Sequence, residues 1–112
     1  MINKKFLSKV LEKKVLTIKS MTKKTIHYKY ANGSGSTEAV ISIHDLAHKC
    51  KELVVLDGYA LSSYPVKKYL ERSIEKWICQ VMFFGQPVFF IEDTSEPEVI
   101  FKACKIIFDK KD

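Results

Sequence analysis

The chain reads as an α+β protein: one domain, residues 1–112, with a mostly antiparallel sheet packed by three or four helices. Two observations predict this. Stretches with strand-like alternation, T-I-H-Y-K-Y and W-I-C-Q-V-M-F-F followed by P-V-F-F-I-E-D, imply hairpins. Two later segments, S-I-H-D-L-A-H-K-C-K-E-L and S-E-P-E-V-I-F-K-A-C-K-I-I, open on capping chemistry and continue with helical apolar spacing. The expected order is approximately α-β-β-β-α-β-(α)-β-β-α.

Asn3 is a suitable N-cap. Phe6, Leu7, Val10 and Leu11 after it lie on one stripe of a helix over about 4–14, with Lys4, Lys5, Lys9 and Lys13 on its wet side. Lys13 and Lys14 suit the negative end of that helix dipole. From Val15 the period changes to two: V-L-T-I-K-S and T-I-H-Y-K-Y make a hairpin over about 15–30, in which Ile26, Tyr28 and Tyr30 alternate with His27 and Lys29.

Residues 31–37 allow two readings. Either a glycine loop leads directly into a helix, or Asn32-Gly33 starts a turn into a third strand, E-A-V-I-S-I. Ser42 and Asp45 form a capping pair that starts the helix after Ser42, which favours the strand. The helix then runs over about 43–56, burying Leu46, Ala47, Cys50, Leu53 and Val54, and stops at Asp57-Gly58.

Y-A-L-S-S-Y is a short strand. Pro65 can open a helix at its first turn, and Tyr69, Leu70, Ser73, Ile74 and Trp77 keep helical spacing; a long loop over 65–76 is the other reading. The second hairpin turns at Gly85-Gln86, and both faces of 77–84 are apolar, as expected of strands covered on two sides. Ser95, Pro97 and Glu98 open the last helix. Its resemblance to the 42–54 segment, each following a strand, allows degenerate halves at 1–57 and 58–112.

Composition excludes several classes. A hydrophobic fraction of 46% with 29% charged residues is that of an ordinary globular chain. No apolar run approaches a membrane span, and no apolar stretch follows the first lysines to serve as a signal-peptide core. The expectation is a cytoplasmic protein with no membrane partner. Cys50, Cys79 and Cys104 are odd in number and widely spaced, which suits reduced, buried thiols.

The net charge of +6 is unevenly placed. Residues 1–30 hold nine lysines against Glu12, whereas residues 31–112 hold ten basic and twelve acidic residues. A cationic first quarter favours polyanions and phosphorylated ligands. The candidate phosphate-binding set is Lys23, Lys24, His27, Lys29, Asn32, Gly33, Ser34, Gly35, Ser36 and Thr37, where lysines and the glycine/serine stretch meet. No Walker A or dinucleotide fingerprint is present, so no cofactor is expected, although a bound nucleotide is compatible with the set. His44 and His48, at i and i+4, supply half the spacing of a metal site, but H-E-x-x-H is absent. Ser62 and Ser63 lack a nucleophile elbow, and the acids Glu92, Asp93, Glu96 and Glu98 sit where they serve a helix dipole. No catalytic residue is expected.

The N-terminal order helix–strand–strand–strand–helix is similar to that of double-stranded-RNA-binding domains. The likeness is one of element order over about half the chain. That family opens its second helix with clustered lysines, whereas here the helix opens Ile43-His44-Asp45, and only Lys49 and Lys51 are basic.

Three function classes follow. The first is a non-catalytic binding module for a nucleotide or nucleic acid. The second is an interaction or self-associating module, with a homodimer as its simplest form, using a sheet edge or the hairpin 77–91. The third is a small histidine-based metal protein or enzyme using His27, His44 and His48.

Overall fold

A computed structural model describes residues 2–67 and 73–111. It is an α+β fold with two three-stranded antiparallel sheets and three helices. The elements are α1 (Lys4–Leu11), β1 (Val15–Met21), β2 (Thr25–Asn32), β3 (Gly35–Ser42), α2 (Ile43–Val55), β4 (Tyr59–Lys67), β5 (Ile74–Phe83), β6 (Gln86–Asp93) and α3 (Glu96–Lys111). The chain divides into two compact units, Met1–Lys49 and Cys50–Asp112, so α2 begins in one and ends in the other.

In the first unit, the Asn3 side chain accepts the Phe6 N–H at 2.9 Å and starts α1. The helix stops at Leu11, where its apolar stripe ends and short of the expected end at about 14, because Glu12 adopts a left-handed conformation (φ 54°). Ser8 consolidates this exit: its carbonyl accepts the Lys13 N–H and its hydroxyl accepts the Val15 N–H at 3.0 Å. Lys13 and Lys14 therefore lie in the connection rather than in the last turn, and the Lys13 ammonium sits 4.4 Å above the Tyr30 ring.

The first sheet runs β1-β2-β3 as a meander. Residues 35–42 are the third strand, as the Ser42 cap implied, and Ser42 Oγ accepts the Asp45 N–H at 3.0 Å where α2 begins. Ile26, Tyr28 and Ile41 are buried on one face, and Val15, Phe6, Leu7, Val10, Ile43, Leu46 and Ala47 are also buried in this unit. The register of β1 against β2 slips twice, at Leu16 and at Lys19, each a one-residue bulge.

In the second unit, β4, β5 and β6 form another meander, with α3 packed against all three strands. Ser95 caps α3 by accepting the Glu98 N–H at 3.3 Å. Cys79 and Val81 on β5 are fully buried, as are Val99, Ala103, Cys104 and Ile107 on α3 and Cys50 and Val54 on α2. The other face of β5 is not covered as its hydrophobic pattern suggested: Ile78 and Met82 are half-buried, and their neighbour Phe90 is 57% exposed. A one-helix layer reaches only one side of a sheet. Pro65 and Val66 lie in β4, and Ile74 to Trp77 in β5, so both flanks of the expected 65–76 helix are extended; its middle, 68–72, lies outside the described residues.

The hairpin turns one residue earlier than expected, at Phe84-Gly85, with φ of 48° and 81°. Positive φ at both central positions is the type I′ signature that matches strand twist. The Phe84 N–H donates to the Gly58 carbonyl at 2.9 Å. Its ring lies so close over Gly58 that a Cβ there would come within 2.7 Å of it.

Candidate functional site

The structure distributes the candidate phosphate-binding residues rather than converging them. Residues 31–37 are not an open loop. Asn32 pairs with Gly35, Ala31 with Ser36 and Tyr30 with Thr37, leaving only Gly33-Ser34 as a two-residue turn. The Asn32 amide donates to Thr37 Oγ1 at 3.0 Å, tying the strand ends together. With the segment built into a ladder, it lacks the row of free N–H groups that makes an anion nest.

Lys23 and Lys24 lie in the turn at the opposite end of β2. There Thr22 organises the chain, its hydroxyl accepting the N–H groups of Lys24 and Thr25 at 3.1 and 3.0 Å. The eight residues of β2 separate the two turns by about 26 Å at the usual strand rise. One phosphate cannot touch both. Between them, His27 and Lys29 alternate with the buried Ile26 and Tyr28, so both side chains stand on the open face of the sheet.

That face holds two residues the sequence reading passed over. Lys19 forms an ion pair with Glu38, on the far strand, reaching across β2 to do so. Lys29 is opposite Glu38 in the register, and His27 is opposite Val40. The bulge explains the position of Lys19. An extra residue between Ile18, opposite Tyr28, and Ser20, opposite His27, lets Lys19 and Ser20 both serve the open side. The hydrogen bond and charge of Lys19, then the fields of Lys29 and His27, hold the Glu38 carboxyl below its ordinary range. Both partners of the ion pair are well exposed, 46% and 62% at the side chain. No periodicity signal marks a bulge; only the charge run from Lys19 to Lys29 pointed towards this surface.

His44 and His48 are exposed on α2. Among the described residues, no group of three or more His, Cys, Asp or Glu side chains is arranged to hold a metal ion. Among them also, no helix is long and apolar enough to cross a membrane.

In the second unit a part-buried polar chain joins three elements. The Lys51 ammonium donates to Ser63 Oγ at 3.3 Å, and the Ser63 hydroxyl donates to Glu96 Oε2 at 2.9 Å. It links α2, β4 and the start of α3. The three cysteines are fully buried and free. A hydrogen bond with the Cys104 thiol, reinforced by burial, raises Cys50, and burial pushes Cys79 up to about 11. Such thiols stay protonated at neutral pH and are poor nucleophiles.

The geometry thus offers two surfaces: a cationic open face on the first sheet and an apolar open face on the second. Compared with family models, curated proteins and solved structures, the chain finds no match among any of them.

Proposed function

We propose that the chain is a non-catalytic nucleic-acid-binding module that acts through its first unit. One observation carries this reading. Residues 1–49 contain ten lysines against Glu12, Glu38 and Asp45, and these lysines are spread over α1, the 12–14 connection, the sheet, the 22–24 turn and, for Lys49, α2. A small nucleotide needs cations that converge on a few phosphates, whereas a nucleic acid presents a row of them. Spacing over about 26 Å along β2 suits the row. The expected partner is therefore the polymer, with contacts to backbone phosphate and little sequence preference.

Fluorescence anisotropy with labelled RNA and DNA, repeated at low and moderate salt, tests this. Affinity that falls steeply with salt is the expected result. Absence of salt-sensitive binding, or a thermal shift with free nucleotides alone, ends the reading.

A second reading has its own observation: the open face of the β4–β6 sheet carries Tyr64, Ile78, Met82 and Phe90, with Lys76 and Glu92 paired beside them at 3.1 Å. Large exposed apolar patches mark interaction surfaces. Association by strand addition is disfavoured, because both edge strands contain a proline, Pro65 in β4 and Pro87 in β6. Face-to-face self-association is the form this geometry favours. Light scattering that finds a monomer at high concentration removes it.

A further inference from the structure

The open face of the first sheet combines three features. A bulge adds the Lys19 side chain to a face that already holds Lys29 and His27. One carboxylate, Glu38, sits on the same face, bonded to Lys19 and directly across the strand pair from Lys29. The surrounding positions are mostly short and hydroxylated: Thr17, Ser20, Thr25 and Ser36 are exposed beside Val40, and His27 supplies the one ring among these open-face residues.

Each feature bears on what the face can accept. One lysine bonded to an oxyanion and a second placed opposite it on the next strand define an anion position, whichever oxyanion fills it. A single imidazole, His27, is little for bases to stack on, so contacts fall mainly on the backbone. Charge complementarity selects the occupant: Lys19, Lys29, Lys23 and Lys24 outnumber Glu38 along this sheet, and a phosphodiester matches the carboxylate in charge and acceptor geometry.

We propose that Glu38 holds the place of a nucleic-acid phosphate on the open face of the β1–β3 sheet, and that a backbone phosphodiester displaces its carboxylate from Lys19 and engages Lys29 beside it. This rests on the nucleic-acid reading and deepens it by assigning the face. Glu38 is then a built-in competitor. It keeps the two ammonium groups aligned while the face is empty and weakens binding when a strand arrives. Its exposure, 62% at the side chain, leaves it room to swing aside.

The test uses the full chain, a short fluorescein-labelled duplex and a matched single strand as probes. Glu38→Gln is expected to tighten binding about fivefold, the effect of removing one adjacent like charge in a solvated setting. Asp45→Asn removes a negative charge at the α2 N-terminus instead, and is expected to change affinity by less than about twofold at moderate salt. In the Glu38→Gln background, Lys19→Ala and Lys29→Ala should each lower the slope of log affinity against log salt by about 1. All four positions are exposed or half-exposed, and circular dichroism checks that each variant keeps its fold. If the wild type binds with a steep salt slope but Glu38→Gln behaves as Asp45→Asn does and the lysine slopes do not move, this assignment is overturned and the general reading survives on other lysines. If neither the wild type nor Glu38→Gln binds, both are overturned.

Discussion

The two sheets share a plan and differ in what they show to solvent. Each is an antiparallel three-strand meander followed by a serine-capped helix, Ser42 before α2 and Ser95 before α3. Each buries one face. The other face is cationic and hydroxylated in the first sheet, and apolar in the second, where Phe90 and Tyr64 stand exposed. Their turns differ in the same sense: Gly33-Ser34 is small and polar, whereas Phe84-Gly85 puts an aromatic residue, 76% exposed, at a positive φ. One topology therefore presents two chemistries, and the difference lies in the residues that the buried core does not constrain.

The largest test asks whether the units are also separate in stability. Ile26 in the first and Ile107 in the second are both fully buried. Ile26→Ala and Ile107→Ala should each cost about 2–5 kcal/mol, the usual range for truncating a packed isoleucine. Urea titration gives the magnitude, and native-state hydrogen exchange gives its location. Ile26→Ala is expected to lower protection chiefly in β1–β3, and Ile107→Ala chiefly in β4–β6 and α3. Equal loss in both sheets from either substitution would abolish the comparison.

The turns supply the next effect. Gly33 has a φ of 62° with nothing within 4 Å of an added Cβ, so Gly33→Ala meets only the backbone penalty, about 1 kcal/mol. Phe84 meets that penalty already. Asparagine tolerates left-handed backbone, so Phe84→Asn should stabilise the chain by about 0.5–1 kcal/mol, read as a higher melting temperature. The ring's contacts with Phe83 (centroids 4.6 Å apart) and with Gly58 work against this gain. A lower melting temperature would show that the aromatic packing outweighs the strain.

Much of this organisation was legible in the sequence because it is local. The caps at Asn3, Ser42 and Ser95 depend on a side chain reaching an amide three residues on, and spacing alone reveals them. Alternation in 25–30 and 77–83 located the central strands. The misreadings share a different cause. Tyr69, Leu70, Ser73, Ile74 and Trp77 fit helical spacing, yet Ile74 and Trp77 belong to a strand, because β4 pairing extends through Lys67 opposite Ile74 and no local signal reports a partner strand. The glycine/serine segment looked like a loop because its pairing residues are polar. In the candidate site, His27 and Lys29 follow from alternation, but Lys19 and Glu38 do not. Their meeting depends on a bulge and on the register of three strands, which are properties of the assembled sheet.

The smallest effect separates two ion pairs that look alike in sequence. Asp93 in the second unit bonds the Lys102 ammonium and also accepts the Thr94 N–H at 2.6 Å; Glu38 in the first bonds Lys19 and is well exposed. The Lys102 hydrogen bond, then the Thr94 amide, hold Asp93 below its ordinary value of 3.8. A depressed carboxyl contributes stability that is present above the unfolded-state value and is lost as pH falls through the folded one. The window therefore lies below about pH 4. Asp93→Asn should lower stability at neutral pH by on the order of 0.5 kcal/mol, a figure already reduced for the exposure of the pair. The difference from wild type should shrink as the pH is taken below that window. Glu38→Gln, with no backbone donor holding its well-exposed carboxylate, should lower the urea midpoint less than Asp93→Asn does at neutral pH. A pH-independent Asp93→Asn deficit would assign its cost to lost packing or turn geometry instead of charge. A Glu38→Gln variant destabilised more than Asp93→Asn would show that the carboxylate supports the first sheet, in conflict with its role as a displaceable stand-in for phosphate.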